Sequence, residues 1–501
     1  MGYLIGIDIG TTGVKLLLID EKGDVKGSIT EEYPLSTPRP GWAEQNPSDW
    51  WDATLKGIKG LLEKTGVKGK EIKGIGLTGQ MHGSVFLNGK GEVIHPAILW
   101  CDQRTAKECE EITETVGKDR VFEITCNPVL TGFQAPKIMW LRKNHPEVYK
   151  NVSKVLLPKD YIRFCLTGVF ATDVSDASGT SLFDVRNRRW SDEILAALSL
   201  PSSLLPECFE SPEITGYITK EVAGLTGLTE GTPVVAGAGD QAAGGVGSGI
   251  VEEGLVSVSL GTSGVVFAHL EDVFVDPQGR LHTFCYAVPG KWHIMGVMLS
   301  AGGSFRWLRD TFFGKDVSYN EMTDMAGNVP AGSEGLVFLP YLTGERCPYP
   351  DPDARGVFFG ISLKHKKEHF VRAVMEGVAF GLKDSIRIMR EIGVPEGKKF
   401  RVTGGGAKSD LWCRIMADIF GGYTVRLKVE EGPSFGAAVL AGVGVGMYSD
   451  VKTACKKLVK EKEGVFEPDR ATAEIYEKFH ILYGKLYQNL EGLFDNLAKI
   501  S

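Results

Sequence analysis

Two eight-residue runs share one pattern: Ile7-Asp8-Ile9-Gly10-Thr11-Thr12-Gly13-Val14 and Val258-Ser259-Leu260-Gly261-Thr262-Ser263-Gly264-Val265. Each reads as strand, glycine-threonine turn, strand. Glycine at such a turn lets the backbone approach an anion, and successive N–H groups and hydroxyls then reach phosphate oxygens. The plain alternative is two ordinary hairpin turns. Duplication half a chain apart favours two turns that face each other across a polyphosphate. The copies differ where it matters, because Asp8 is matched by Ser259. Only the first turn brings a carboxylate. That suits one Mg2+ site, since Mg2+ takes one or two carboxylates with waters and phosphate oxygens. Turn capping is the other reading of Asp8. Gly6, on the same face of the strand, is expected to leave room beside it.

Asp240 is the second carboxylate of interest. It ends the apolar run Val234–Ala238 and is surrounded by glycines from Gly237 to Gly249. An unpaired acid in so apolar a stretch is costly and needs a reason. A general base at the floor of a cleft is one; a cap on the following helix is the other. Gly237-Ala238-Gly239-Asp240-Gln241-Ala242 also fits a loose dinucleotide fingerprint. It is rejected, because Ser259 stands where the ribose-binding acid belongs and Asp240 would repel a pyrophosphate. No P-loop pattern is present. A third glycine point, Thr403-Gly404-Gly405-Gly406-Ala407-Lys408-Ser409, could press backbone against a nucleoside. Gln80-Met81-His82, bounded by Gly79 and Gly83, suits hydroxyl recognition, although a lone histidine is more often structural.

These residues need elements to hold them. Tyr3–Ile9 alternates with a period of two, as a half-buried strand does. A helix is expected over Pro47–Thr65, with Asn46 as N-cap, Gly66 at its end and Trp51, Leu55, Ile58 and Leu62 as its buried stripe. Strands are expected at Val14–Asp20, Ile72–Thr78, Val234–Ala238 and Phe400–Val402. Further helices are expected at His369–Ile392, Leu411–Phe420 and Thr472–Ile500, the last buried through Ile475, Phe479, Leu482, Leu486, Leu490 and Leu497. Mixed strands and helices throughout make an α/β chain.

Of 501 residues, 63 are glycine, nearly twice the usual share of ~7%. With 43% hydrophobic and 24% charged residues the chain is globular, and its net charge of −7 does not favour nucleic acid or an anionic membrane. Nine scattered cysteines without Cys-x-x-Cys spacing read as reduced thiols, hence a cytoplasmic setting. The N-terminus lacks the basic segment of a signal peptide. Pro233–Val251 carries only Asp240 as a charge, but it is too rich in glycine and alanine to span a membrane.

Taken together, these runs resemble the FGGY family of carbohydrate kinases, and most closely its xylulose-phosphorylating branch. The resemblance is carried by Gly6–Thr12, Gly79–Gly83, Ile98–Arg104, Thr172–Gly179, Gly239-Asp240, Tyr341–Arg346 and Gly356–Glu376. Gln134, where Thr or Ser is expected three residues before Lys137, and Gln241, where that branch often has Asn, depart from it. The resemblance implies an actin-like ATPase fold of two ribonuclease-H-like domains, 1–248 and 249–501, around a cleft. It implies ATP and Mg2+ as cofactors and transfer of the γ-phosphoryl group to the 5-hydroxyl of D-xylulose. By position, Asp240 would be the catalytic proton acceptor. Met81, His82, Asp102, Asp240 and Gln241 would bind the sugar. Thr11, Thr12, Thr262, Gly302, Arg306, Gly405 and Ser409 would bind the nucleotide, and Asp8 the metal. The partners implied are the sugar and ATP, with no nucleic acid or membrane, and a homodimer is considered. The competing readings are a kinase for ribulose, fuculose, gluconate or glycerol, and a nucleotide-switched actin-like binding or filament protein.

Overall fold

In a computed structural model that describes residues 2–500, the alternating run Tyr3–Ile9 pairs antiparallel with Gly13–Asp20, placing Ile9 opposite Val14 and Asp8 opposite Lys15. Its other edge pairs in parallel with Ile72–Gly79. These three strands centre a seven-stranded sheet, in the order Ile214–Tyr217, Pro233–Val235, Ile72–Gly79, Tyr3–Ile9, Gly13–Asp20, Val25–Glu32, with Ala238–Gly239 also on Ile72–Gly79. The second glycine turn repeats the plan. Leu255–Leu260 pairs antiparallel with Gly264–Leu270 and in parallel with Lys399–Thr403, within another seven-stranded sheet. Each sheet thus has a hairpin whose first strand lies beside a parallel strand that runs into a further glycine loop, at Gly79 and at Gly404.

The helix over Pro47–Thr65 forms as its end signals dictate: Asn46 accepts from the Ser48 N–H, and Gly66 closes it in the left-handed region at φ 70°. Its buried face differs from the expected stripe. Trp50, Ala53, Thr54, Gly57, Ile58 and Leu61 face inward, while Trp51 and Leu55 are only half-buried. The small residues decide this, since a Cβ at Gly57 would stand 2.3 Å from the Leu16 side chain. The helix Arg470–Ile500 turns similarly. Ile475 and Leu497 are exposed, and the buried face is Tyr476, His480, Tyr483, Leu486, Tyr487 and Phe494. Tyrosine can be buried where its hydroxyl finds a partner. Here Tyr476 reaches Glu376 (2.8 Å), Tyr483 pairs with Tyr341 (2.9 Å) and Tyr487 reaches Asp351 (2.8 Å).

The strand expected over Val234–Ala238 is broken in two. Gly237 has φ 71°, and a Cβ there would lie 1.9 Å from the Leu77 carbonyl. The break turns the chain so that Asp240 begins a helix, Asp240–Gly247, instead of continuing the sheet.

Gly6 does not clear space for a ligand. A Cβ there would meet the Ser434 carbonyl at 1.8 Å, and one at Gly76 would meet the Ala437 carbonyl at 1.9 Å. Both glycines let the helix Gly432–Gly444 lie directly on the first sheet. That helix also packs on Asp240–Gly247, where added Cβ atoms at Gly247 and Gly436 would each come within 1.9 Å of a backbone carbonyl. Phe435, Ala438 and Leu440 share one core with Leu4, Leu17, Ala242 and Val246. The last quarter of the chain therefore returns to complete the first sheet. Among the described residues, no helix is long and apolar enough to cross a membrane.

Candidate active site

Asp240 is the first residue of its helix, after the extended Gly239. It is half-buried and lines a cavity of about 210 Å³. Burial pushes it up to about 6, against hydrogen bonds from Gln241 that favour the charged form. The Gly79–Gly83 loop lies directly behind. Met81 is buried, and a Cβ at Gly239 would stand 2.8 Å from its Cγ.

His82 has φ 69° and stacks on Phe133 with ring centroids 4.5 Å apart. Its Nδ1 is 2.7 Å from the Gly179 carbonyl. A carbonyl only accepts, so Nδ1 carries the proton and Nε2 remains an acceptor. Burial drives the imidazole down to about 3, so it stays neutral. A neutral ring with a free acceptor nitrogen can take a hydrogen bond from a sugar hydroxyl. Lys137, which sequence reading treated only as part of a motif, fixes this loop. Its fully buried ammonium donates to the carbonyls of His82 (2.8 Å) and Gly132 (2.6 Å), and burial lowers it to about 7. The signal for it was a lysine within an otherwise apolar run, Ile138-Met139-Trp140-Leu141.

Asp102 is engaged elsewhere. Its oxygens accept from the Ala43 N–H (2.6 Å), the Arg104 N–H (2.9 Å) and the Arg104 guanidinium (2.7 Å), and it is fully buried. It anchors its loop and offers no free oxygen to a hydroxyl.

The two glycine turns differ in how their threonines are used. The Thr11 hydroxyl, on a half-buried residue, accepts from Nε1 of the exposed Trp100 (3.0 Å) and donates to Gln80 (3.3 Å), so both of its polar roles are taken within the protein. Thr12 is exposed at the tip. In the second turn, the Gly261 carbonyl accepts from the Gly302 N–H (2.9 Å) and the Thr262 carbonyl accepts from Ala301 and Gly303 (both 3.0 Å). A Cβ at Gly302 would come 2.4 Å from the Gly261 carbonyl, which explains glycine there. Thr262, Gly302, Arg306, Gly405 and Ser409 then line one cavity of about 470 Å³, walled by Phe305 and Trp412. Ser409 also caps the helix Asp410–Phe420 through the Trp412 N–H. A second cavity of about 210 Å³ holds Asp240 and Gln241 on one wall and Ser257, Ser259 and Thr403 on another. A larger surface groove, about 660 Å³, is lined by Gly2, Glu21, Lys73 and Lys457 and contains none of these groups.

Asp8 carries a buried Oδ1 without a hydrogen-bond partner. Burial and then the charge of Asp240 raise its carboxyl to about 7, and Lys15 opposes them. A buried carboxyl with an orphaned oxygen, in the field of the Asp240 charge, is a candidate place for a cation. No cluster of three or more acidic, histidine or cysteine ligands exists among the described residues. Any ion held here must complete its shell with waters or substrate oxygens.

Models of the FGGY family of carbohydrate kinases match the chain twice, the N-terminal domain over residues 3–247 and the C-terminal domain over 256–445. The chain is similar to a xylulose kinase of Lactococcus lactis subsp. lactis, at 41% identity over 100% of this chain and 99% of that protein. It is also similar to a xylulose kinase of Escherichia coli, at 40% identity over 97% and 99%. Among solved structures, a crystal structure described as a xyloylose kinase from Brucella ovis superposes with a TM-score of 0.92 at 36% identity, covering 98% of this chain and 100% of that one.

Proposed function

Since the chain belongs to the FGGY family of carbohydrate kinases, we propose that it phosphorylates D-xylulose at its 5-hydroxyl, using ATP and releasing D-xylulose 5-phosphate and ADP. The observation that carries this reading is the position of Asp240. It follows Gly239, which packs against Met81, and lines the cavity shared with the second glycine-turn strand. Full-length relatives at 36–41% identity are xylulose kinases, which supports the acceptor over gluconate, whose kinase from Bacillus licheniformis matches at 30%.

In this reading Met81, the Nε2 of His82 and Gln241 orient the sugar. The Asp240 carboxylate takes the proton of the hydroxyl as its oxygen attacks the γ-phosphorus, and the bond to the β–γ bridging oxygen breaks, leaving ADP. Phosphoryl transfer depends on positioning and charge neutralisation more than on covalent chemistry. Thr12 and the Thr262 turn face the phosphates, and the cavity of Gly302, Arg306, Gly405 and Ser409 takes the nucleoside. Asp8 would hold Mg2+, which when bound neutralises phosphate charge. The halves 1–248 and 249–501 would close on the substrates and exclude water. Nine free thiols fit a cytoplasmic enzyme. A homodimer belongs to the same proposal, and light scattering at assay concentration tests it.

The deciding experiment is ADP release over a panel of sugars and polyols. D-xylulose should be preferred strongly. A best substrate among gluconate, glycerol or other non-pentuloses overturns the reading, and so does ATP-dependent filament formation without sugar-dependent ADP release.

A further inference from the structure

Behind the turn that leads into Asp240 lies a buried set of charges that the proposed reaction does not use. Lys159, Asp160, Arg163, Asp173 and Asp176 are all fully buried. The Lys159 ammonium lies 2.6 Å from Asp160, 2.9 Å from Asp173 and 3.4 Å from Asp176. Arg163 pairs with Asp160 at 3.2 Å. Two cations thus face three carboxyls. Burial, partly offset by Lys159 and reinforced by Asp160, Asp173 and Asp240, holds Asp176 well above the usual carboxylate range. Burying so many charges is expensive and adds little to stability beyond what apolar packing would supply. Such a cluster has to be explained by what it holds.

It holds the backbone ahead of Asp240. The Arg163 guanidinium donates to the Val235 carbonyl (2.9 Å) and to the Ala236 carbonyl. Asp173 uses one oxygen on Lys159. Its other oxygen accepts from the Ser175 N–H (2.8 Å), the Ser175 hydroxyl (2.5 Å) and the Ser211 hydroxyl (3.1 Å). The polarised Ser175 hydroxyl in turn accepts from the Gly239 N–H at 3.2 Å. Gly239 is the residue before Asp240, and it has no side chain of its own to fix it. Arg163 holds the turn at Val235 and Ala236, and the Ser211 carbonyl holds the Gly237 N–H (2.9 Å); beyond the short pairing of Ala238–Gly239 with Thr78 and Gly79, Ser175 is the side chain that reaches Gly239 itself.

We propose that Ser175, oriented by Asp173 and Lys159, is a positioning residue that acts through Gly239 to set the direction of the Asp240 carboxylate. This rests on the reading of Asp240 as the base. A displacement of that carboxylate of about 1 Å would cost turnover and leave the distant nucleotide cavity untouched.

The test is a double-mutant cycle with the full-length protein. Ser175→Ala should lower kcat about tenfold with KM for ATP unchanged. In the Asp240→Asn background the same substitution should cost nothing further, because its effect passes through that carboxylate. Ser211→Ala also removes a donor to Asp173 but does not touch Gly239, and it should keep near-normal kcat. Ser175→Cys, of similar size and weaker as an acceptor, should fall between. Normal kcat in Ser175→Ala overturns the inference. So does an equal loss in Ser211→Ala, or a full further loss in the Asp240→Asn background. If Asp240→Asn itself turns over normally, the reading of the base fails instead. Should Ser175→Ala not fold, the Ser175→Cys and Ser211→Ala pair decides by the same comparison.

Discussion

The Thr11 hydroxyl donates to the side-chain oxygen of Gln80 at 3.3 Å, joining the first glycine turn to the Gly79–Gly83 loop. Gln80 is buried and also donates to Gln45 (3.1 Å), whose amide donates to the Thr11 carbonyl at 2.7 Å. One side chain thus braces the first glycine turn and the Gly79–Gly83 loop, which in the proposed reaction face the phosphates and the sugar. Gln80→Leu should lower kcat/KM for both substrates by about 10–100-fold, since buried partners are left unpaired on each side. Initial rates with each substrate varied check this. A change confined to the sugar KM would show that the brace does not reach the phosphates.

Asp240→Asn should keep the fold and ATP binding but lose turnover by about 10²–10⁴-fold, the usual worth of a positioned base. Circular dichroism, nucleotide titration and single-turnover rates measure the three separately.

The pH dependence follows from burial. Asp240 must be unprotonated to accept a proton, so kcat/KM should fall as pH drops through about 6. Stability should move the other way. Asp8 and Asp240 hold protons at pH values where the unfolded chain has released them, so their contribution to stability falls as pH rises from about 4 to about 7. Without ligands, Asp240→Asn should therefore melt above wild type at pH 8, with the gap shrinking as pH falls and closing only near pH 3, by calorimetry.

Gly6→Ala should unfold or severely destabilise the first half, because the added carbon would lie 1.8 Å from the Ser434 carbonyl on a buried helix. A loss of roughly 3 kcal/mol or more is expected from such overpacking. Urea denaturation checks it.

Gly405→Val tests the nucleotide cavity. Open space surrounds a Cβ at that position, so the fold should tolerate the change. The new side chain would occupy part of the cavity it lines. KM for ATP should rise about tenfold or more, a cost near 1.4 kcal/mol, with the melting temperature unchanged. An unchanged KM would move the nucleoside elsewhere.

Local rules were enough for much of this protein. The period of two at Tyr3–Ile9, the caps at Asn46 and Gly66, and the duplicated glycine turn depend on neighbours a few residues away, and all were legible in the linear order. So were the chemical types of the site, because Asp8, Asp240 and His82 stand out within glycine-rich runs. What the order could not show is which surface meets which. The glycine at position 6 admits a helix some 430 residues later instead of a ligand, and the inward face of Pro47–Thr65 follows Gly57 and Leu16 instead of the largest side chains. Lys137 beneath His82, the use of Asp102 and Thr11 within the protein, and the charges behind Gly239 arise only when distant segments meet. Sequence alone determined the elements and the reactive groups, since both are set by short-range sterics and residue chemistry. Tertiary structure decided which of those groups stay free to act, since that depends on which partners burial brings within hydrogen-bonding distance.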